Sequence, residues 1–154
     1  VGKDFTYLGW YNFGNVTSVQ GLWHQHAGAG RGNRGYWENV AGKIYWECNN
    51  EAGTSINTFS NLWAPAASTW YFLAYRRTGT LWEILVDNVV VASNVDADDF
   101  TTYTGVFDIG EADGLGADYG CWLTGKCGEF AAFSRAISAA ELYYFRSATK
   151  WRYQ

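Results

Sequence analysis

The stretch TWYFLAYRRTGTLWEILVDNVVVAS, residues 69–93, decides the fold class. It contains three apolar runs rich in aromatic and β-branched residues, which favour strands. Thr78-Gly79 forms a short turn between the first two runs. Asp87-Asn88 lies between the last two, and both side chains tolerate the positive φ angles of a tight hairpin turn. The stretch therefore predicts an antiparallel meander of three strands.

The segments on both sides of this meander also have the pattern of strands. The segment FTYLGWYNF, residues 5–13, alternates in its side chains, so that its odd and even positions face opposite ways. The segment 26–35 is rich in glycine and predicts a loop, but it lacks the lysine of a phosphate-binding loop. Further strands are predicted at 19–26, on both sides of Ala41-Gly42, at 104–110 and at 126–134.

One helix is predicted near the end of this β-rich chain. Ser138 and Glu141 have the spacing of a capping box, in which each side chain bonds the backbone amide of the other. Ile137 precedes the cap and can act as a hydrophobic staple. We expect the helix to end near Ser147. One helix against about ten strands predicts an all-β domain.

Composition excludes some functions and favours others. The 154 residues have a formal net charge of −4, which argues against nucleic acid as a partner, because phosphate binding needs clustered Lys and Arg. No apolar run approaches the roughly 18 residues of a membrane span. The chain contains nine Trp, eleven Tyr and nine Phe. Since one small core seldom needs so many large rings, we expect some of them to face outward as stacking platforms.

These motifs, in this order, resemble the laminin G-like, concanavalin A-like jelly-roll domains. In that family a Trp opens a strand, as Trp70 does here, and the following strand ends in an Asp-Gly turn, where this chain has Asp87-Asn88. FDIG (107–110) resembles the family's apolar-x-Ile-Gly strand, and GKCGEFAAFSRAISAAEL (125–142) resembles its closing strand and helix. The resemblance implies an all-β, two-sheet antiparallel jelly-roll sandwich with one short C-terminal helix.

The resemblance also carries expectations about organisation and location. It spans nearly the whole chain, so we interpret residues 1–154 as a single domain. The sequence does not begin with Met, and the strand that normally precedes the Phe-Thr motif at Phe5 is missing. We therefore expect a segment of a larger protein or assembly, or a sheet edge completed by another subunit. The expected location is extracellular, at a cell surface or on a virion.

Aromatic rings near loops and strand ends are the candidate ligand-binding residues. The flat face of a ring suits the C–H face of a pyranose, and His, Asn, Asp or Arg can supply the polar contacts. His24 and His26 share one face of a strand and can bond a sugar, whereas a zinc site would need a third ligand that the sequence does not show. The candidate set is Trp23, His24, His26, Tyr36, Trp37, Trp63, Tyr119 and Trp122.

Three further sites are predicted from residue types and spacing. Members of the family often bind Ca²⁺, which prefers several oxygen ligands, and two acidic loops offer Asp96 and Asp98, and Glu111 and Asp113. Cys121 and Cys127 are six residues apart and can bridge a loop, although the family comparison puts an inward apolar residue at 127. Cys48 is expected to be a core thiol. Asn15-Val16-Thr17 is an N-glycosylation sequon.

The function expected from these observations is non-catalytic recognition of a glycan. The same jelly roll includes β-glucanases, which carry Glu-x-Asp-x-x-Glu on one strand, but here the order is Asp108, Glu111, Asp113, with Gly110 interrupting the strand. We therefore expect no enzyme activity. The alternative is a structural or assembly module that makes protein–protein contacts in a fibre, a shell or a multidomain surface protein. The partner is then a glycan or another subunit, including a second copy of the chain.

Overall fold

The computed structural model describes residues 4–26, 32–49, 55–97, 105–112 and 121–154. Within these ranges the chain forms twelve strands and one α-helix, which is followed by a short 3-10 turn at Lys150–Arg152. In chain order the elements are β1 (Phe5–Phe13), β2 (Gln20–His26), β3 (Gly32–Glu38), β4 (Lys43–Asn49), β5 (Ser55–Leu62), β6 (Trp70–Thr78), β7 (Leu81–Val86), β8 (Val89–Val95), β9 (Phe107–Ile109), β10 (Glu111–Ala112), β11 (Cys121–Trp122), β12 (Gly125–Phe133) and α1 (Ala139–Thr149).

Ten of the twelve strands form two five-stranded antiparallel sheets. Sheet A has the order β12-β1-β6-β7-β8, and sheet B has the order β5-β4-β3-β2-β9. The strands β10 and β11 pair with each other as a small separate ribbon. This arrangement confirms the predicted all-β, two-sheet jelly-roll sandwich with one short C-terminal helix. The predicted meander is β6-β7-β8 in sheet A.

Aromatic rings fill the space between the two sheets. Trp23 and Trp46 of sheet B are sealed from solvent and meet Tyr75 of sheet A, with ring centroids 5.2 and 5.5 Å from the tyrosine ring and near-perpendicular planes. Trp82 packs edge-on against Trp46 at 4.8 Å. Edge-to-face pairs of this kind add stabilisation beyond the area they bury. Cys48 is buried in the same core, as predicted.

The C-terminal helix covers the other face of sheet A. Leu8 and Trp10 of β1 point away from the inter-sheet core and pack with Ile137 and Leu142 in a second apolar cluster. The capping box is present, since Ser138 accepts from the Glu141 amide and Glu141 accepts from the Ser138 amide. The helix therefore buries the strand face that alternation leaves exposed. It runs two residues beyond the predicted end, to Thr149, whose hydroxyl accepts from the Trp10 indole at 2.8 Å.

The tight turns follow the sequence closely. Asp87 and Asn88 have φ angles of 52° and 70°, so the hairpin between β7 and β8 uses the backbone region that these residues tolerate. Gly42 and Gly79 have φ angles of 63° and 59° in the turns after β3 and β6. The three predicted turns are thus confirmed.

One sequence prediction about the sheets needs correction. The glycine-rich segment 26–35 is partly strand, because Gly32 and Gly35 belong to β3. A Cβ at Gly35 would collide with the Trp23 indole nitrogen and the Tyr75 ring, so the glycine leaves the room that these core rings occupy. The strand β1 has neighbours on both sides, β12 and β6, and the expectation of a larger protein or of a sheet edge completed by another subunit stays a prediction.

Among the helical residues that the structure describes, no helix has the length and apolarity needed to cross a bilayer.

Candidate functional site

The outer face of sheet B is partly covered by the β10–β11 ribbon. The ribbon lies directly on β2 at Gly21, where a Cβ would collide with the backbone of Ala112 and Cys121. Ala112 and Cys121 pack there with the buried ring of Tyr36, and Val19 and Tyr45 border this cluster. The ribbon therefore covers one part of the sheet. This close contact is possible because position 21 has no side chain.

A groove of about 590 Å³ runs beside the β10–β11 ribbon. Its volume is in the range of small-molecule binding sites. Three chain segments supply its lining residues, which are Ser18 and Val19, then Glu38, Asn39 and Val40, then Cys121, Trp122 and Thr124. The groove thus combines the loop after β1, the turn after β3 and the ribbon strand β11.

Trp122 presents its ring to this groove. Its neighbour Cys121 is buried in the cluster under the ribbon, and alternation along β11 turns Trp122 to the opposite side. The side chain is 61% exposed, whereas most of the tryptophans of the sandwich are buried. An indole held on a strand at the side of a groove offers a flat apolar surface of fixed orientation.

Hydrogen bonds tie the three lining segments to each other. The buried Gln20 accepts from the Thr124 amide at 2.6 Å and donates to the Ser18 hydroxyl at 2.7 Å. Asn39 donates from its side chain to the Thr17 carbonyl at 2.7 Å. The groove is therefore preorganised, which lowers the entropic cost of binding a ligand.

Glu38 is the charged residue in the described lining. Its two carboxylate oxygens accept from the amides of Val40 at 2.9 Å and Ala41 at 2.6 Å, so the side chain holds the turn after β3. The same carboxylate places negative charge at the side of the groove. Val40, at the tip of this turn, is 89% exposed and forms an apolar lip.

Beyond the ribbon, a row of polar side chains crosses the same face of sheet B. His24 lies between its strand partners Asp108 and Arg34, and Arg34 is the partner of Glu47. The Arg34 guanidinium donates to a Glu47 carboxylate oxygen at 2.9 Å, and this pair is largely buried. His26 contacts Asp108 at 2.8 Å. The row thus contains two side-chain pairs, Arg34–Glu47 and His26–Asp108.

Tyr36 connects the Arg34–Glu47 pair to the ring cluster under the ribbon. Its hydroxyl donates to Glu47 at 3.2 Å, and its ring stacks on Tyr45 with the centroids 4.9 Å apart. Burial, followed by the charge of Glu47, raises the pKa of the Tyr36 hydroxyl far above its usual value. The phenol is therefore neutral and acts as a hydrogen-bond donor at every physiological pH.

The structure separates the eight predicted ligand-binding residues into distinct groups. Trp23, His24, Tyr36 and Trp37 are buried, with Trp23 and Trp37 in the sandwich core and Tyr36 in the cluster under the ribbon, and their role as ligand contacts stays a prediction. Trp63 is partly buried and packs edge-on against Phe13, Trp37 and Tyr71.

Trp122 is the predicted ring that the structure places at a groove. His26 is partly exposed and is bonded to Asp108, on the polar row. Tyr119 lies outside the residues that the structure describes. Sequence reasoning missed Ser18, Glu38, Asn39 and Thr124, which are adjacent to turns but carry no aromatic signal.

The cysteines and the sequon have clear positions. Cys121 and Cys127 are free thiols, so the predicted bridge is wrong: Cys121 is buried under the ribbon on sheet B, whereas Cys127 is on β12 at the edge of sheet A. The Asn15 side-chain oxygen accepts from the Thr17 amide at 3.1 Å in the loop beside the groove. Its glycosylation stays a prediction.

The calcium prediction is not tested by the described residues. Asp98 and Asp113 lie outside them, and the backbone carbonyl of Asp96 accepts from the Trp82 indole at 3.2 Å. Glu111 is the strand partner of Trp122. Within the part of the chain that the structure describes, no three His, Cys, Asp or Glu residues form a group able to hold a metal ion. The remaining carboxylates do not make a fitting calcium site by themselves.

Solved structures with the same fold include proteins from several sources. A Bacteroides ovatus protein that is proposed to bind carbohydrate has a TM-score of 0.73 and 16% identity, over 92% of this chain and 40% of that chain. The binding domain of botulinum neurotoxin serotype D has a TM-score of 0.71 and 10% identity, over 97% of this chain and 37% of that chain. The present chain thus spans about two fifths of these two proteins.

A third structure is the CBM40 domain of the Ruminococcus gnavus IT-sialidase, solved with α2,3-sialyllactose bound. It has a TM-score of 0.70 and 17% identity, over 94% of this chain and 83% of that chain. At these identities the likeness shows the fold alone. No curated protein sequence matches the chain. The family model of the concanavalin A-like lectin/glucanases superfamily matches residues 1–143, and the chain is therefore a member of this laminin G-like superfamily.

Proposed function

We propose that this domain is a non-catalytic recognition module that binds glycans in the groove beside Trp122. The observation that carries the proposal is the exposed indole of Trp122 at the wall of a groove of about 590 Å³. The apolar C–H face of a pyranose packs against such a ring, while hydroxyls and amides bond its equatorial hydroxyl groups. Ser18, Thr124 and Asn39 supply polar groups in the same groove.

The arrangement supports binding better than catalysis. A glycosidase of the usual kind needs two carboxyl groups about 5–9.5 Å apart on either side of the scissile bond. In the described lining the carboxylate is Glu38, and both of its oxygens are bonded to turn amides. Asp108, the carboxylate on β9, is bonded to His26 on the polar row. These carboxylates therefore have structural partners rather than the paired geometry of an acid and a nucleophile.

The superfamily and its neighbours agree with this proposal. The superfamily includes lectins, and two of the similar structures are proposed or observed to bind sugars. A glycan-binding module acts where glycans are displayed, so the proposed location is extracellular, at a cell surface or on a virion.

The proposal is tested on a glycan array with the parent chain and two tryptophan variants. Trp122→Ala is expected to reduce the binding signal at least about tenfold, because it removes the apolar platform. Trp151→Ala is the matched control, since Trp151 is also highly exposed, at 70%, but follows the C-terminal helix. Binding that survives Trp122→Ala, or that Trp151→Ala abolishes, would place the site elsewhere.

A second candidate function, assembly through protein contacts, is favoured by a different surface. Tyr143 and Tyr144 on α1 are 65% and 75% exposed, and Trp151 lies beyond them on the same C-terminal segment. Exposed large rings of this kind are typical of protein interfaces. Sedimentation velocity of the parent and of Tyr144→Glu tests it: a concentration-dependent oligomer that the variant abolishes would favour assembly, and a monomer at all concentrations would count against self-assembly.

A further inference from the structure

We propose that the domain forms a dimer in which helix α1 packs antiparallel against α1 of a second copy. The inference deepens the second candidate function, assembly, by naming the partner and the register of the contact. Its consequence for binding, a molecule with two grooves, rests on the proposed glycan-binding function. It is argued from the outer surface of α1 and of the turn that follows it, where the structure describes every residue.

The outer face of α1 is uncharged along its centre. Leu142 packs inward on sheet A, and the period of 3.6 residues per turn places Ala140, Tyr144 and Ser147 on the opposite side of the helix. All three are exposed, Tyr144 to 75%. A solvated helix face normally carries charged side chains, so this stripe is more typical of a helix that packs against another protein.

A pocket and a matching ring lie at opposite ends of this stripe. At the N-terminal end, a cavity of about 390 Å³ opens beside Ala140 and Tyr144, with the ring of Phe133 in its wall. At the C-terminal end, Trp151 is 70% exposed, and its indole donates to the Ala148 carbonyl at 3.0 Å, which holds the ring against the last turn. A tryptophan in an apolar pocket is a frequent anchor of protein interfaces. The chain thus carries both halves of such an anchor.

The ring and the pocket can meet only between two copies. Positions 140 and 151 are about 16 Å apart along a helix, so Trp151 cannot fill the pocket of its own chain. An antiparallel pair with a twofold axis brings Ala140 of each copy beside Trp151 of the other, which fills both pockets. The same register brings Tyr144 beside Ser147 of the second copy, so that a large side chain meets a small one in each layer. The contact is closed and ends at two copies.

The charges beside the stripe are compatible with this pairing. Glu141 and Arg135 at the rim of the pocket are bonded to each other at 2.6 Å, so the rim carries no net charge. Lys150 lies on the same flank of the helix as Tyr143, and the antiparallel register brings its ammonium group to the Tyr143 ring of the second copy, as a cation–π contact. The two helix dipoles also point in opposite directions, which is the favourable arrangement.

The size of the contact predicts a weak, reversible dimer. Tyr143, Tyr144 and Trp151 are between 65% and 75% exposed. Since a large ring buries roughly 150–250 Å², the rings of two copies remove about 800 Å² from water, and the small residues between them add to this area. A total of about 1,000 Å² is near the lower limit of specific interfaces. We therefore expect a dissociation constant in the micromolar range.

The dimer holds its two candidate grooves on opposite sides. The helix covers the outer face of sheet A, whereas the ribbon that presents Trp122 lies on the outer face of sheet B. Pairing through α1 therefore places the two sandwiches back to back, with the grooves facing away from each other. Such a molecule connects two glycan-bearing surfaces, because its geometry forbids both grooves from engaging the same flat surface.

Sedimentation velocity over a micromolar to submillimolar range tests the dimer without any glycan. The parent is expected to change reversibly from monomer to dimer. Trp151→Ala removes the ring and Ala140→Glu places a carboxylate at the pocket, and each is expected to weaken the dimer at least about tenfold. Position 140 is in the first helical turn, where an acidic residue favours the helix, so Ala140→Glu stays folded. Val95→Glu is the matched control, since Val95 is 72% exposed but lies on β8, and it is expected to keep the dimer.

Cysteine variants test the register. In a Cys127→Ser background, an equal mixture of Tyr144→Cys and Ser147→Cys is expected to form a disulfide-linked dimer under mild oxidation, and peptide mapping should assign the bond to positions 144 and 147. Each variant alone is expected to cross-link less than the mixture. A parallel helix pair would instead link each variant to itself, which would overturn the antiparallel register.

The outcomes separate this inference from the proposed function. A parent that stays monomeric over the whole range, a dimer that survives both Trp151→Ala and Ala140→Glu, or a larger oligomer would overturn the inference and leave glycan binding in place. Trp122→Ala is expected to lose glycan binding and keep the dimer, so a failure of the proposed site does not remove the dimer. Beads that carry the glycan with the strongest array signal should be cross-linked by the parent and only coated by Trp151→Ala. Equal cross-linking by both proteins would contradict the back-to-back arrangement.

Discussion

Gly21 and Cys121 are in direct contact: a Cβ atom on Gly21 would overlap the backbone carbonyl oxygen of Cys121. The contact is what allows the β10–β11 ribbon to lie on β2 and to present Trp122 to the groove. Position 21 therefore connects a feature of the sequence, a glycine inside a strand, to the geometry of the candidate site.

Gly21→Ala is expected to destabilise the domain and weaken glycan binding together. The backbone of Ala112 and Cys121 occupies the position of the new methyl group, so the ribbon must move away from β2. Overpacking of this kind typically costs about 1–3 kcal/mol of unfolding free energy. Denaturant unfolding measures the loss of stability, and titration with a bound glycan measures the loss of affinity.

Gly79→Ala is the control for this prediction. Gly79 has a φ of 59°, and nothing lies within 4 Å of its Cβ position, so the variant strains the backbone in the turn after β6 without displacing the ribbon. It is expected to lose stability and to keep its glycan affinity. Gly21→Ala with unchanged affinity would contradict the role assigned to the ribbon.

Glu47→Gln is expected to lower the unfolding free energy of the domain. Its carboxylate holds the buried Arg34 guanidinium at 2.9 Å and accepts from the Tyr36 hydroxyl at 3.2 Å. Removing the charge of one partner from a largely buried pair is destabilising, and because Glu47 is itself partly exposed we expect a loss of about 2–4 kcal/mol of unfolding free energy. Denaturant unfolding at neutral pH measures the change.

The double variant Arg34→Met with Glu47→Gln separates charge from packing. Since it removes both charges and keeps the volume, it is expected to recover much of the stability that Glu47→Gln loses. A single variant as stable as the parent would show that the pair contributes little. A double variant that is less stable than the single one would show that Arg34 has a further essential partner.

The predictable parts of this fold are the local ones. The Asp87-Asn88 turn and the Ser138–Glu141 capping box depend on residues that are neighbours in the sequence, and both are found as predicted. The two-residue period of β1 likewise predicts its two faces, one in the sandwich core and one under the helix. Each of these features needs no knowledge of the sheet order.

The choice among the candidate rings could not be made from the sequence. Trp23 and Trp122 are equal candidates in the sequence, but Trp23 is opposite Gly35 in β3, and the room left by that glycine lets the indole enter the core. Trp122 is beside the buried Cys121 on a two-residue strand and faces outward. Cross-strand register decides both outcomes, and register is a property of partners that are distant in the sequence.

Thiol labelling is expected to distinguish the three cysteines. Cys48 and Cys121 are buried, whereas Cys127 is exposed on the edge strand β12. Partial burial raises the pKa of the Cys127 thiol to about 11, so its labelling at pH 7 is slow and accelerates with rising pH. A thiol reagent with mass spectrometry should find one reactive thiol in the native protein and three in denaturant.

Cys127→Ser is expected to abolish the native labelling, and Cys48→Ser is expected to retain it. A mass lower by two hydrogens before any reagent is added would instead indicate a disulfide. A disulfide that peptide mapping assigns to Cys121 and Cys127 would restore the predicted bridge, which the structure does not contain.

The cap of the C-terminal helix is expected to weaken in acid. Arg135 donates to both carboxylate oxygens of Glu141, at 2.6 and 3.1 Å, and Ser138 donates from its amide at 2.8 Å. These bonds, the Arg135 contribution first, lower the pKa of Glu141 from 4.5 to about 2. A lowered pKa means that the stabilisation is complete above about pH 5 and is lost as the pH falls through the range from 4.5 to 2.

Melting temperatures measured from pH 7 to pH 2 test this cap with two variants. Glu141→Gln should melt below the parent at neutral pH, and the gap should narrow as the parent's carboxyl group becomes protonated. Arg135→Gln keeps the carboxyl group but removes the main cause of its lowered pKa, so its acid-induced loss of stability should be smaller and should be complete at a higher pH than in the parent. Because the group is exposed, both effects are small. A gap between Glu141→Gln and the parent that stays constant down to pH 2 would show that the charge of Glu141 does not contribute to the cap.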